Sequence, residues 1–276
     1  MEYNDLRLKN ILLNMLDEFI LICKKYNLKY TLLGGSVLGA IRHGGIIPWD
    51  DDIDIGMPRS DYEKLLSIAD NVLGTKYKLV SAYNDKDYVY PFAKLFDNET
   101  TLVEFKDFFY LGGVYIDIFP LDGIPKNTNK RIRKIWKIRY AATNLILAKY
   151  SSEYKKHYFF RCLAYKVILG NFNNVLKICD KIARKYPYSK QYDIANYFGA
   201  WKEKEISEYS WFNPLIEVTF EGRKVWIPGN YDAYLTKMYG DYMTPPPIEK
   251  RKSHHSHYFI DLSRRYSLEE IRKMGY

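Results

Sequence analysis

Between Asp5 and Tyr26 the apolar positions Leu8, Ile11, Leu12, Met15, Leu16, Phe19 and Ile22 recur at three- and four-residue intervals, the period of an amphipathic helix. Such a helix has one face to bury, and a sheet is its expected cover. The pattern then shortens. "KYTLL" reads as a brief strand running into Gly34 and Gly35, and Ser36 stands where its side chain would cap the short helix "VLGAIRHG". Strand, glycines and helix N-terminus make a candidate anion cradle, because free N–H groups and the helix dipole point the same way.

After Pro48 and Trp49 the period falls to two. In "DDDIDIGM", Asp50, Asp52 and Asp54 share one parity and Asp51, Ile53 and Ile55 the other. On extended backbone Asp52 and Asp54 therefore project to one face while the isoleucines enter a core. "PRSDYEKLLSIADNVLG" follows as a helix closed by Gly74, and "YKLVS", "FAKLF" and "VYIDIFPLD" are strand candidates. Within the last of these Asp117 sits between Ile116 and Ile118, either as a buried charge with a partner or as a side chain opening on a site. A basic helical half spans about Thr128 to Tyr186. "EVTFEGRKVWIP" then predicts a hairpin turning at Glu221 and Gly222, and "NYDAYLTKMYG" a capped helix stopped by Gly240. The loop "DYMTPPPIEKRKSHHSH" brings His254, His255 and His257 near the end.

The spacing of the acids suggests a chemistry. Two aspartates on one strand and a third on a neighbour offer hard oxygen ligands to Mg²⁺ or Mn²⁺, ions that recruit substrate phosphates to complete their shell. Without a cation the three carboxylates would raise one another's pKa. A structural Ca²⁺ site and plain hydrogen bonding at a strand end fit the same spacing.

With 276 residues, 47% of them hydrophobic and 17% aromatic, the chain can bury a large core, and it carries no repeat or low-complexity segment. Cys23, Cys162 and Cys179 are scattered among apolar or helical residues, as reduced core thiols are. The N-terminus lacks the pattern of a signal peptide and no span has the roughly 18 consecutive apolar residues of a membrane helix, so a cytoplasmic protein is expected. The net charge of +9 concentrates between Lys126 and Lys166, where Lys130, Arg131, Arg133, Lys134, Lys137, Arg139, Lys149, Lys155 and Lys156 face the single acid Glu153. That series is either a solvated helix face or a peripheral contact with anionic lipid; no nucleic-acid module accompanies it, and nucleic acid is not an expected partner.

The strand, Gly-Ser, helix and D-x-D order resembles the nucleotidyltransferase superfamily. "RHGGIIPWDDDIDIGMPRSDYEKL", "YPFAKLFDNET", "VYIDIFPLDGIP" and the late "YGDYMTPPP" with "KRKSHHSH" together resemble the LicD family of phosphotransferases, relatives of fukutin and the fukutin-related protein, in family order over almost the whole chain. The resemblance implies an α/β fold, a mixed sheet flanked by helices with an added basic helical region. Residues 1–125 are expected to form the catalytic core, 126–210 the basic region, and 211–276 a hairpin, helix and loop returning to the core. It implies transfer of a phosphorylated alcohol, typically phosphocholine, from a CDP-linked donor to a glycan or lipid-linked glycan acceptor, with release of CMP.

By position Asp52 and Asp54 match the metal-binding pair and Asp117 the third carboxylate, a candidate to accept the hydroxyl proton, with Asp50 in support. Gly35 and Ser36 would meet the donor phosphates. Arg42 and Lys94 are phosphate contacts or surface ion pairs, His43 and Trp49 substrate contacts or packed rings, and His257 is the late histidine assigned to the site. Tyr90, Phe92, Tyr110 and Tyr115 could cage a quaternary ammonium or belong to the core.

Overall fold

Helix α1 (Leu6–Tyr26) buries Leu8, Leu12, Met15, Leu16, Phe19 and Ile22, the stripe its spacing predicts, and packs on the sheet. The computed structural model describes residues 6–104, 110–138, 140, 172–253, 255 and 257–276. The sheet is built from β1 (Thr31–Leu32), β2 (Asp54–Pro58), β3 (Tyr77–Val80), β4 (Ala93–Asp97) and β6 (Tyr115–Ile124), in the order β1-β2-β6-β4-β3; β5 (Thr101–Val103) lies outside it. β2 and β6 run parallel, and the β1–β2, β4–β6 and β3–β4 pairings are antiparallel. The parallel pair needs a long crossover, supplied by helix α3 (Arg59–Val72), β3 and β4. Both α1 and α3 pack on β6, which is buried along its whole length. This is a mixed α/β architecture with helices on the sheet, as expected.

The far end of β6 continues the sheet through β7 (Asp193–Ala195) and β8 (Ile206–Ser207). Strands β9 (Leu215–Phe220) and β10 (Arg223–Pro228) form the expected hairpin, with Glu221 at φ 49° and Gly222 at φ 77°. Positive φ at both central residues gives the turn the hand that matches strand twist. The last strand, β11 (Phe259–Asp261), returns to pair with β5, a long-range contact that alternation alone does not announce.

In the basic region, residues 130–138 are helical, and so is α4 (Phe172–Ala183). Ile132, Ile135, Val175, Cys179 and Ala183 enter the same core cluster as α1 and the sheet, while Lys130, Arg133, Lys134 and Lys137 are exposed. Arg139, Lys149, Lys155, Lys156, Lys166 and Cys162 lie outside the described residues. Cys23 and Cys179 are buried. Arg59, at the start of α3, ties the two halves together. Its guanidinium grips Asp122 of β6 through Nε and Nη2 and donates from Nη1 to Asp180 of α4 at 2.8 Å.

Candidate metal and phosphate site

The register of the sheet sets the site. Asp54 of β2 stands directly across from Asp117 of β6, and Asp117 directly across from Lys94 of β4, so one row reads carboxylate, carboxylate, ammonium. The residues between them, Ile53, Ile55, Ile116 and Ile118, are buried in the core. The hydrogen-bonded strand begins at Asp54 rather than at Asp50. Residues 50–53 approach it as irregular backbone, pinned where the Asp117 N–H donates to the Ile53 carbonyl at 3.0 Å. Asp52, Asp54 and Asp117 each bring a carboxylate oxygen within 4.8 Å of the others.

Burial, then the charges of Asp54 and Asp50, hold the Asp52 carboxyl well above the usual carboxylate range. Burial, then Asp117 and Asp50, do the same to Asp54. For Asp117 burial also raises the pKa, and neighbouring Lys94 only partly offsets it. Three crowded, poorly hydrated carboxylates favour either a proton or a cation, which is the electrostatic signature of a divalent site.

Opposite the acids, the Leu33 N–H donates to the Asp54 carbonyl and the chain turns into helix α2 (Gly34–Arg42). Gly34 has φ 51°, and its N–H donates to the Tyr234 hydroxyl at 2.8 Å. A Cβ there would lie 3.3 Å from Asp54 Oδ2, and at Gly35 only 2.9 Å from Asp50 Oδ2, so the glycines let the helix N-terminus close on the aspartates. Ser36 is not the cap. The helix begins two residues earlier at Gly34, its N-cap Leu33 offers no side-chain cap, and Ser36 Oγ instead accepts the Asp54 N–H at 2.9 Å. A tertiary donor has taken the oxygen that local capping would have used. Gly35→Ala should displace Asp50 and lower activity roughly 10–100-fold, while alanine in a helix leaves the melting temperature undiminished. Steady-state rates beside a thermal melt check both halves.

Lys94 is 1% exposed, which rules out the surface ion pair and puts its ammonium inside the structure. Nζ lies 3.0 Å from Asp117 Oδ1 and 3.5 Å from Glu104 Oε2, the former at an angle that leaves the buried oxygen without a hydrogen bond. The Tyr115 ring centroid is 3.2 Å away, that of Tyr90 4.5 Å and that of Phe92 5.8 Å. Tyr90 and Tyr115 also donate their hydroxyls to Glu104. The aromatic cage read from the sequence therefore exists, and its occupant is the protein's own lysine rather than a choline headgroup. Tyr110 stands at its margin, donating to Asp85 at 2.9 Å.

The late loop reaches the acids. Asp51 Oδ1 accepts the Ser253 hydroxyl at 2.7 Å and lies 2.8 Å from His255 Nδ1; His257 Nε2 lies 3.1 Å from Asp51 Oδ2. Burial would lower the His255 pKa, but its bond to Asp51 and the charge of Asp52 raise it to about 10. Burial likewise opposes ionisation of Asp51, and the His255 and Ser253 bonds overcome it. At His257 burial wins over the charge of Asp51 and lowers the pKa. Sequence patterning does not mark Asp51, Ser253, His255 or Glu104 as site residues, because what joins them is long-range packing. His254 lies outside the described residues.

Arg42 donates to the Tyr242 carbonyl at 2.7 Å, and its guanidinium lies 5.9 Å from the Trp49 ring; Arg251 lies 5.3 Å from the same ring. His43 meets Trp49 edge-on. These three side chains cluster around the indole one residue before Asp50. They form no ion pair with the aspartates among the described residues.

A divalent ion fits this donor set. Asp117 Oδ1 is buried without a hydrogen bond, and the converging Asp52, Asp54 and Asp117 groups are hard carboxylates. Residues 27–165 match the family model described as LicD/FKTN/FKRP, nucleotidyltransferase domain. The lipopolysaccharide cholinephosphotransferase LicD of Haemophilus influenzae is 32% identical over 256 residues, which covers 89% of this chain and 93% of that protein. The human ribitol 5-phosphate transferase FKRP is 61% identical over 33 residues, 12% of this chain and 7% of its own length. An uncharacterised Rickettsia prowazekii protein is 45% identical over 62 residues, 22% of this chain and 23% of its own. With half of its length matched by the family model and a relative matched almost from end to end, the chain belongs to the LicD/FKTN/FKRP family.

Proposed function

We propose that the protein transfers a phosphorylated alcohol, phosphocholine first among the candidates, from a CDP-linked donor to a sugar hydroxyl of a cell-surface glycan or teichoic acid. The observation that carries this reading is the meeting of Asp52, Asp54 and Asp117 with the Gly34–Ser36 turn, in a chain whose end-to-end relative is named a cholinephosphotransferase. The ribitol 5-phosphate transferases named among the shorter matches support phosphoalcohol transfer in general and leave the headgroup open. Because Lys94 fills the aromatic cage, the preference for choline rests on the relative and not on those rings.

In the proposed reaction the acceptor hydroxyl oxygen attacks the phosphorus distal to cytidine. The new P–O bond forms as the bond to the CMP oxygen breaks, and the hydroxyl proton passes to Asp117. Asp52, Asp54 and Asp117 would hold Mg²⁺ or Mn²⁺, which supplies charge neutralisation on the diphosphate and the leaving CMP. The turn at Gly34 and Gly35 allows close approach of the donor phosphates to the helix N-terminus. Arg42, joined by Arg251, supplies cationic character beside Asp50, with His43 and Trp49 lining the same edge. Lys94 acts on Asp117 rather than on phosphate, fixing the carboxylate from behind.

No helix among the described residues is long and apolar enough to cross a membrane. We place the reaction at the cytoplasmic membrane face, where lipid-linked glycans are built. The exposed Lys130, Arg133, Lys134 and Lys137 would meet anionic headgroups.

The test offers purified protein and Mg²⁺ a panel of CDP-choline, CDP-ethanolamine, CDP-glycerol and CDP-ribitol, with CTP as control, each with and without glycan acceptor. Metal-dependent CMP from one donor is the expected result. Pyrophosphate from CTP would instead identify a nucleotidyltransferase, and nucleotide binding without turnover a binding protein.

A further inference from the structure

The late loop does more than cover the aspartates. The bond between Asp51 Oδ1 and His255 Nδ1, at 2.8 Å, assigns the ring proton to Nδ1 once the imidazole is neutral and leaves the Nε2 lone pair directed away from Asp51. Nε2 stands 3.5 Å from Asp52 Oδ2. That distance is long for an imidazolium–carboxylate hydrogen bond, which closes to about 2.7–2.9 Å. It matches two atoms sharing one ion: ligands at about 2.1 Å stand about 3.0 Å apart at a right angle and about 3.4 Å at a tetrahedral angle.

Two further observations point to a ligand there. Asp52 is 9% exposed, and its Oδ2 faces His255 Nε2 across 3.5 Å. Asp51 Oδ2 is buried without a hydrogen bond, although His257 approaches it. Asp50, Asp51, Asp52 and His255 also converge as potential ligands within 4.8 Å.

On the reading that Asp52, Asp54 and Asp117 hold a divalent ion, we propose that His255 joins them through Nε2 as a ligand alongside Asp52, with Asp51 the carboxylate that orients its ring. Asp51 is then a positioning residue, in the arrangement by which a carboxylate fixes a ligating imidazole and strengthens it. The ligand set becomes mixed nitrogen and oxygen, which shifts preference from Mg²⁺ towards Mn²⁺. It also makes the last part of the chain, 204 residues from Asp51, a component of the metal centre.

The test is electron spin echo envelope modulation on the full-length protein loaded with Mn²⁺, made once with natural-abundance histidine and once with ¹⁵N-histidine. The expected result is a directly bound imidazole coupling that changes with the isotope, survives His257→Gln and disappears in His255→Gln. His255→Gln should also lower the ratio of Mn²⁺ to Mg²⁺ affinity at least about tenfold. Asp51→Asn should weaken Mn²⁺ binding about 10–100-fold. Bound Mn²⁺ with no isotope-sensitive coupling, or a coupling that persists in His255→Gln, overturns the assignment while leaving the carboxylate site standing. Wild-type protein that fails to bind Mn²⁺ overturns the metal centre itself. The isotope comparison uses unaltered sequence, so it decides the point even where a variant folds poorly.

Discussion

Asp54→Asn is expected to lower the transfer rate by at least on the order of 10³-fold and yet to melt at a higher temperature than the wild type in metal-free buffer. The loss follows from removing a charge that faces Asp52 and Asp117 within 4.8 Å. The gain follows from the same fact. With no cation, burial and the charges of Asp117 and Asp50 make the ionised form of Asp54 costly in the folded state, and its pKa is raised. A carboxyl with a raised folded-state pKa binds more protons folded than unfolded over that range, so stability falls as pH rises from the unfolded value of about 3.9. The asparagine variant escapes that penalty. Its advantage should vanish near pH 4, where both forms are neutral, and be present at pH 7. Added Mg²⁺ should reverse the order, because a ligand at 100 times its Kd stabilises the wild type by about 2.7 kcal/mol. Thermal melts of both proteins at pH 4 and pH 7, with and without Mg²⁺, check the signs. An Asn variant less stable than wild type in chelator at pH 7 would remove the electrostatic account of the site.

Arg59→Met should produce the largest loss of stability in the fold, about 3–5 kcal/mol, or on the order of 10 °C in melting temperature for a chain of this size. Arg59, Asp122 and Asp180 have side chains 10%, 1% and 7% exposed, so the change strands buried carboxylates rather than freeing them to water. The two acids do not suffer equally. Asp180 keeps Arg184 and the Tyr83 hydroxyl, whereas the Asp122 carboxylate has no other hydrogen-bond donor among the described residues. Most of the cost therefore sits at Asp122, and pairing Arg59→Met with Asp122→Leu should recover most of it. Asp122 pairs with Arg59 and stands outside the cluster of Asp52, Asp54 and Asp117, so protein that remains folded should keep its activity at low temperature. Denaturant titration of the single and double variants measures the coupling.

The parts of the site that depend on local periodicity were legible in the sequence. A period of two put Asp52 and Asp54 on one face and the isoleucines on the other, and the apolar neighbours of Asp117 marked it as a charge inside a core strand. The α1 stripe, the Glu221–Gly222 turn and the Gly240 helix stop are equally local, and each stands where the pattern puts it. Long-range register was not legible. The pairing of Asp54 with Asp117, and of Asp117 with Lys94, depends on a parallel crossover and an antiparallel return that no short window encodes. Ser36 shows how tertiary structure overrides local chemistry, since the Asp54 N–H claims an oxygen that capping rules assign to its own helix. Tyr90, Phe92 and Tyr115 show a cage predicted by residue type whose occupant only packing decides. Asp51 shows where alternation stops being a guide: residues 50–53 are irregular, Asp51 and Asp52 are both buried, and the partners of Asp51 stand about two hundred positions away.

The measurement that tests the central claim most directly is the anomalous difference map of crystals soaked with Mn²⁺ and CDP-choline. The account predicts an ion within coordinating distance of the Asp52, Asp54 and Asp117 carboxylates, with the donor diphosphate against the Gly34–Ser36 turn. An ion bound away from those three carboxylates, or a diphosphate seated away from the Gly34–Ser36 turn, would contradict it.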